Sequence, residues 1–280
     1  MNPHGDSWLS GCAAIETCAR LDPSLPHPAR VYGYWLGGKD HYPADRLAAE
    51  EVMTYRPQVV AGARANRAFL VRVVRYLAAE CGIRQFIDIG TGLPAPDNTH
   101  EVAQAVAADS RIVYVDNDPL VLAYARALLT STRRGVCDYI DADLRDTTAI
   151  VARAKSALDF TQPIAVLMLA VLHFIPDSDD PAGIIAALAH QLAPGSYAVI
   201  SHLTADFAPS QVTAGVGVYN NLVPTAVVPR THTQVSALFG RLPLVPPGVV
   251  PLTEWRPTVG PFPHAADLYA GVAHTPASRL

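Results

Sequence analysis

Residues 85–94 read QFIDIGTGLP, and the character of the chain changes at this decapeptide. Its first five residues form a short apolar run typical of a buried strand, and Gly90 and Gly92 follow directly. Glycines at such a turn let the backbone approach a ligand closely, where a side chain would collide. Gly90, Gly92 and Ala95 also fit the relaxed dinucleotide-binding pattern G-x-G-x-x-A, so the turn by itself leaves the ligand open.

On both sides of this turn the chain has a regular organisation. From residue 85 onward, β-branched runs of strand length alternate with segments long enough for helices, which is typical of a parallel sheet covered by helices on both faces. The predicted strands are Gln85–Ile89, Arg111–Val115, Asp138–Ile140, Pro163–Ala170, Tyr197–Leu203 and Leu268–His274. The predicted helices among them are Thr99–Ala108, Pro119–Leu129, Thr147–Leu158, Pro181–Leu192 and one near Gln234–Phe239. We expect residues 1–27 to be a flexible, proline-rich tail and residues 28–80 a helical segment without strands.

Composition excludes several classes of protein. The chain has 280 residues, of which 50% are hydrophobic and 16% charged, with a net charge of −4. This is too apolar for a disordered chain, and the mild acidity lends no support to a nucleic-acid partner. The longest apolar run, Ile164–Leu172, is far shorter than the roughly 18 residues of a membrane span, and no secretory leader is recognisable. The four cysteines have no metal-ligand or disulfide spacing, so we expect reduced thiols, a cytoplasmic location and no metal site.

Acidic residues end three consecutive predicted strands, at Asp88, Asp116 and Asp143. Asp88 lies two residues before Gly90, where its charge would repel an anionic pyrophosphate but favour a cationic amino-acid group. Asp116 follows Gly92 by 24 positions, the separation at which an acid reaches the hydroxyls of a bound ribose. Asp143 is then placed to accept a hydrogen bond from an exocyclic amino group. Each aspartate alone has the alternative of capping a helix, but together they predict S-adenosylmethionine (AdoMet) rather than NAD.

The chain resembles an actinobacterial family of AdoMet-dependent methyltransferases that was long catalogued as a domain of unknown function. The segments that carry the resemblance are Arg30–Asp40 (RVYGYWLGGKD), Ala63–Leu70 (ARANRAFL), Gln85–Pro94 (QFIDIGTGLP), Asn98–Gln104 (NTHEVAQ), Val113–Pro119 (VYVDNDP), Asp141–Asp146 (DADLRD), Ala170–Pro176 (AVLHFIP) and Trp255–Pro257 (WRP). The resemblance implies an α/β, Rossmann-like class I methyltransferase fold with a seven-stranded, mostly parallel sheet and helices on both faces. Residues 28–80 would then be an N-terminal helical lid over the substrate, and residues 81–280 the AdoMet-binding domain. The implied or predicted cofactor-binding residues are Asp88, Gly90, Thr91, Gly92, Asp116, Asn117, Asp143, Leu144, Ala170 and Arg64.

Candidates for the chemistry lie in two places. His173 follows the fourth predicted strand and has the side chain best suited to accept a proton near neutral pH, although it can equally pack beside the cofactor. In the unusual segment at residues 30–42, Tyr34, Lys39 and Asp40 are interpreted as catalytic or substrate-binding residues. Tyr32 and Trp35 of the same segment are interpreted as structural.

The sequence leaves the reaction open between several alternatives. The leading hypothesis is methyl transfer from AdoMet to oxygen or nitrogen of a small molecule, with secondary metabolism as the expected setting. The chain lacks the Asn/Asp-Pro-Pro and Pro-Cys motifs of nucleic-acid base methylases after its fourth strand, so we expect a small-molecule acceptor and neither nucleic acid nor membrane as a partner. A cyclisation or elimination that uses His173 or the Asp40–His41 pair, and an AdoMet-binding protein without catalysis, remain alternatives. The chain could also act as a homodimer or with a small partner protein.

Overall fold

The protein, seen in a computed structural model, is built on the strand-and-helix alternation that the sequence predicts; the structure describes residues 21–128, 131–257 and 266–276. The strands are β1 (Gln85–Ile89), β2 (Arg111–Asp116), β3 (Val136–Asp141), β4 (Ala165–Leu169), β5 (Tyr197–Leu203), β6 (Val250–Pro251) and β7 (Leu268–His274). They form one seven-stranded sheet in the order β3-β2-β1-β4-β5-β7-β6. β1 to β5 are parallel, whereas β7 is antiparallel to β5 and to β6.

Helices cover both faces of this sheet. They are α1 (Pro28–Trp35), α2 (Pro43–Tyr55), α3 (Val59–Ala79), α4 (Thr99–Val106), α5 (Pro119–Leu128), α6 (Thr147–Ala154), α7 (Pro181–Gln191), α8 (Pro209–Leu222) and α9 (His232–Leu238). Alternation along each strand divides the buried side chains into two cores. Phe86 packs with α3 and Trp255 on one face, and Ile87 packs with Ile150 and Ile184 on the other.

The observed elements confirm the predicted fold class and most predicted segments. The principal difference is α8, which the sequence does not predict because it contains Gly215 and Gly217 beside β-branched residues, all weak helix formers. α8 forms because it packs along α2 and buries Val212 and Tyr219. Among the described residues, no helix is long and apolar enough to cross a membrane.

The N-terminal helices are joined to the sheet by buried polar contacts. Asp118, at the start of α5, lies 3.0 Å from His27 Nδ1 and 3.3 Å from Arg30 Nε. Asp45 of α2 accepts hydrogen bonds from the backbone N–H groups of His27 and Tyr42. Of the predicted tail, residues 1–20 lie outside the described residues, and His27 is part of this buried cluster. The predicted domain boundaries and the closing motion implied by a lid stay predictions.

Candidate functional site

A cavity of about 220 Å³ lies beyond the carboxyl ends of β1, β2 and β4. β1 and β4 are neighbours from which the strand order runs in opposite directions, the place where open parallel sheets bind ligands. We call the part formed by residues 88–92, 115–117 and 142–145 the strand-end half. The rest, the helical half, is lined chiefly by α1, the end of α2, α3, α8 and the ends of β4, β5 and β7.

The glycine turn after β1 lines the strand-end half. Gly90 and Gly92 have positive φ angles of 71° and 67°, which glycine adopts without steric cost. A Cβ on Gly90 would lie 2.5 Å from Cγ2 of Val171, so only glycine fits there. The backbone N–H groups of Gly90 and Thr91 donate to the carbonyl of Val115, which fixes the turn against the end of β2.

Asp116 is buried at the end of β2 and organises the same turn. Its Oδ2 accepts the N–H of Gly92 at 2.9 Å, and its Oδ1 accepts the N–H of Asp118 at 2.9 Å. Burial raises the pKa of this carboxyl despite the two hydrogen bonds. A carboxylate has about four acceptor positions, so each oxygen can still accept a hydroxyl from a ligand. Asn117, the next residue, also lines the cavity.

Asp88 lies under the turn and is buried beside Thr99. The hydroxyl of Thr99 donates to Asp88 Oδ2 at 2.6 Å. Burial raises the pKa of Asp88 to about 6, while the Thr99 hydrogen bond and the charge of Arg67 act in the opposite direction. The carboxyl is therefore poised between its neutral and charged forms, and a nearby cation would favour the charged form.

Asp143 lies on the exposed rim of the cavity, after β3. Arg145 Nη1 lies 3.0 Å from Asp143 Oδ2, and Arg145 Nε lies 2.6 Å from Oδ2 of Asp179. Asn117 Nδ2 lies 3.4 Å from the same oxygen of Asp143. Leu144 is buried beside this acid and lines the cavity. Arg145, which the sequence did not single out, also lines it.

Ala170 closes the opposite wall at the end of β4. It has a positive φ of 54°, unusual for a residue with a side chain, and its N–H donates to the carbonyl and the hydroxyl of Ser201. The Ser201 hydroxyl donates to Asn66 Oδ1 at 2.6 Å, and Asn66 Nδ2 donates to the Tyr32 hydroxyl at 3.1 Å. This chain of hydrogen bonds joins α1 and α3 to the centre of the sheet.

The structure favours Arg67 over Arg64 as the arginine of the site. Arg64 is exposed and is not among the described residues that line the cavity, whereas Arg67, three positions further along α3, lines it. Arg67 Nη2 donates to the carbonyls of Pro96 and Asp97, and its Nε has no hydrogen-bond partner among the described residues. Sequence spacing did not fix which side of α3 faces the cavity.

Within residues 30–42, the side chains that line the cavity are not the ones predicted to contact substrate. Tyr32 and Trp35, interpreted as structural, line the cavity. Tyr34 instead donates to Glu50 at the surface, Asp40 accepts from the Tyr124 hydroxyl, and Lys39 is exposed. None of these three is among the described lining residues, so the geometry does not support their predicted contact with substrate.

His173 lines the helical half, but in surroundings that differ from those of a base titrating near pH 7. It is 8% exposed, and its Nδ1 has no hydrogen-bond partner among the described residues. Burial lowers its pKa well below the ordinary value, and His202, Arg56 and Arg230 act in the same direction. His173 is therefore a neutral imidazole that can accept or donate a hydrogen bond, and it is a weaker base than the sequence suggested.

His202 is held away from the cavity. Its Nδ1 lies 2.8 Å from the carbonyl of Leu203 and its Nε2 lies 2.8 Å from Arg230 Nη1. Because Arg230 can only donate, Nε2 is the acceptor and Nδ1 carries the hydrogen. Burial lowers the pKa of His202 to about 4. Its role is to connect β5 to the loop that carries Arg230.

Comparisons with known proteins give a consistent result. A family model described as S-adenosyl methyltransferase matches residues 15–276. A DUF574 family protein from Streptomyces avermitilis is 41% identical, with 92% of this chain and 100% of the other covered and a TM-score of 0.88. A candidate methyltransferase from Thermobifida fusca is 35% identical, with 97% and 100% covered and a TM-score of 0.84.

More distant solved structures share the fold alone. A plantazolicin methyltransferase solved with SAH is 12% identical, covers 95% of this chain and 99% of its own, and has a TM-score of 0.51. No curated protein sequence matches this chain.

Proposed function

Since this chain belongs to the S-adenosyl methyltransferase family, whose cofactor is AdoMet, we propose that it methylates an oxygen or nitrogen atom of a small molecule. One observation carries the proposal: three aspartates at consecutive strand ends surround a glycine turn on a single cavity that continues into a mostly apolar, helix-lined half. The first half matches a nucleoside bearing a cationic amino-acid tail. The second half matches a small organic acceptor and not a nucleic acid or a protein surface.

The residues of the strand-end half, together with Arg67 and Ala170 beside it, fit AdoMet by their donor and acceptor types. Asp116 has acceptor positions left for the ribose hydroxyls, and Asp143 with Asn117 offers an acceptor and an amide for the adenine edge. Asp88 would favour the cationic amino group. Arg67, whose Nε is unpartnered among the described residues, would bind the carboxylate. Thr91, Leu144 and Ala170 would shape the walls.

The chemistry then divides simply between cofactor and chain. AdoMet supplies a methyl group on a positively charged sulfur. The chain orients the acceptor and excludes water, which by itself accounts for much of the acceleration in such displacements. Tyr32 and Trp35 present aromatic rings to the cavity, where a cation is stabilised by the ring face. Neutral His173 accepts or donates a hydrogen bond at the acceptor.

The alternatives receive less support from the geometry. A cyclisation or elimination that depends on the Asp40–His41 pair would need these residues at the cavity, and neither is among its described lining residues. A protein that only binds AdoMet would not need the additional helix-lined space. We also propose that the enzyme acts in secondary metabolism and is located in the cytoplasm.

The experiment that tests the proposal is calorimetric titration of AdoMet into the wild-type protein and the Asp116→Ala variant. We expect binding by the wild type and a loss of about a hundredfold in the variant, because both the ribose acceptor and the partner of the Gly92 N–H are removed. The matched control is Asp159→Ala, whose carboxylate bonds the exposed Thr161 away from the cavity. Failure of the wild type to bind AdoMet, or unchanged binding by a folded Asp116→Ala protein, would contradict the proposal. Release of S-adenosylhomocysteine with a panel of acceptors then tests turnover.

A further inference from the structure

The helical half of the cavity has an apolar wall with a few polar groups. Its apolar lining residues are Val52, Val59, Phe174, Leu203, Val216, Val227 and Leu268. Arg56, His173, Tyr219 and Thr225 are among the polar side chains that share this space. Apolar lining of this kind suits a hydrophobic body, and the few polar groups set which chemical group is recognised.

Arg56 brings a buried positive charge to this wall. It is 7% exposed, and its Nε donates to Asp267 Oδ2 at 2.9 Å. Arg56 lines the cavity, whereas Asp267 is not among the described lining residues, so the cation of the pair faces the space and the anion lies behind it. The Nη1 and Nη2 groups of Arg56 donate no hydrogen bond to the described residues. A guanidinium has five donors, and most of them are left for a ligand.

Two further polar atoms at this wall are buried and have no hydrogen-bond partner among the described residues. They are the hydroxyl oxygen of Tyr219, in a side chain 5% exposed, and Nδ1 of His173. Tyr219 follows Gly215 by one helical turn on α8, and a Cβ on Gly215 would lie 3.1 Å from Cβ of Arg56. Leaving a buried polar atom unpaired costs about 1–3 kcal/mol, so such atoms in a cavity mark the position of a ligand's polar group.

The electrostatic surroundings decide the sign of that group. Arg56 and Arg230 both act on His173 as positive charges. Asp45, which acts on Tyr219, is already bound by Arg30 and two backbone N–H groups. Arg56 and Arg230 are each paired with a carboxylate, Asp267 and Asp177. A cationic amine could still accept a hydrogen bond from none of the unused N–H donors of Arg56, and a neutral alcohol would leave most of them unpaired. An anionic oxygen group satisfies Arg56 and the Tyr219 hydroxyl together.

We infer that the acceptor is a small apolar molecule bearing an anionic oxygen group, a carboxylate or phenolate, which Arg56 and the Tyr219 hydroxyl bind while His173 contacts it from the β4 side. The inference rests on the proposed function, because it names the acceptor class of the same cavity. It concerns recognition, and the anionic group is the anchor of the acceptor whether or not it receives the methyl group.

The test uses three probes that share one ring system and differ in charge: naphthoate, naphthylmethanol and naphthylmethylamine. Each is titrated into the full chain saturated with S-adenosylhomocysteine. We expect naphthoate to bind at least about tenfold more tightly than either of the others. Equal affinities, a preference for the alcohol or the amine, or binding of none of the three would overturn the inference.

Tyr219→Phe supplies the decisive variant, since it removes only the unpartnered hydroxyl. We expect its affinity for naphthoate to fall about five- to tenfold with unchanged affinity for naphthylmethanol. Tyr124→Phe is the matched control, because its hydroxyl bonds Asp40 outside the cavity lining, and it should bind naphthoate like the wild type. An unchanged naphthoate affinity in Tyr219→Phe would also overturn the inference. Binding of S-adenosylhomocysteine separates the two claims, because its loss contradicts the proposed function, while normal binding without anion preference contradicts only the acceptor class.

Discussion

In the strand-end half of the cavity, each of the three aspartates has a hydrogen-bonded or ion-paired neighbour: Asp88 with Thr99, Asp116 with two backbone N–H groups, and Asp143 with Arg145. In the helical half, the Tyr219 hydroxyl and His173 Nδ1 are buried with no partner among the described residues. The first half is therefore organised by the protein itself. The second half has buried polar atoms that no described residue satisfies. The contrast teaches that binding the nucleoside and choosing the acceptor are separate tasks of one cavity.

The largest expected effect concerns the buried carboxyl of the strand-end half. The pKa of Asp88 is about 6 in the folded protein against an ordinary 3.8, so its contribution to stability is fully present below pH 4 and is lost as the pH rises through 6. We expect the free energy of unfolding of the wild type, relative to Asp88→Asn, to fall by up to about 3 kcal/mol between pH 4 and pH 7. Denaturant unfolding at several pH values measures it. A difference that does not vary with pH would show that Asp88 is not desolvated as described.

A smaller effect, on AdoMet affinity, should distinguish Asp143 from Asp179. Asp143 and Asp179 both pair with Arg145, but only Asp143 is among the described lining residues. We expect Asp143→Ala to weaken AdoMet binding about tenfold, the equivalent of one hydrogen bond to a charged group, and Asp179→Ala to change it less than twofold. Calorimetric titration of both variants checks this. Equal losses would mean that Arg145, and not the carboxylate of Asp143, is what the nucleoside contacts.

The smallest expected effect lies in the helical half. Because the Tyr219 hydroxyl has no partner among the described residues, its removal in Tyr219→Phe should leave the free energy of unfolding unchanged or raise it by up to about 1 kcal/mol. Thr99→Val is the counterpart in the strand-end half, where loss of the bond to Asp88 should destabilise the protein by about 1–3 kcal/mol. Denaturant unfolding of both variants at pH 7 tests the comparison. A destabilised Tyr219→Phe protein would remove the distinction between the halves.

The position of the three acids at one edge of the sheet could be read from the sequence because it depends on local patterns. Each acid lies in, or within two residues of, the strand that presents it, so the pattern of β1 to β3 places Asp88, Asp116 and Asp143 at one edge. The family resemblance added the expectation of seven strands in a mostly parallel sheet.

The helical half could not be predicted in the same way. Arg56 and Asp267 meet across 211 positions, and α8, which carries Tyr219, is stabilised by packing against α2 rather than by its own helix propensity. Likewise, residues 30–42 contain four aromatic residues, and the sequence does not indicate which of their side chains face the cavity. The face that α1 turns to the cavity carries Tyr32 and not Tyr34, and the face that α3 turns to it carries Arg67 and not Arg64.

A chain of hydrogen bonds limits how the protein could be divided into fragments. It runs from Tyr32 through Asn66 and Ser201 to Ala170. These hydrogen bonds run from the first described helix to the middle strands. Separating the chain between residues 80 and 81 would therefore leave polar atoms without hydrogen-bond partners in both fragments. We therefore expect the segment before β1 and the sheet to melt in a single cooperative transition. In a chimera of two homologous proteins, the segment before β1 and the sheet would have to come from the same parent.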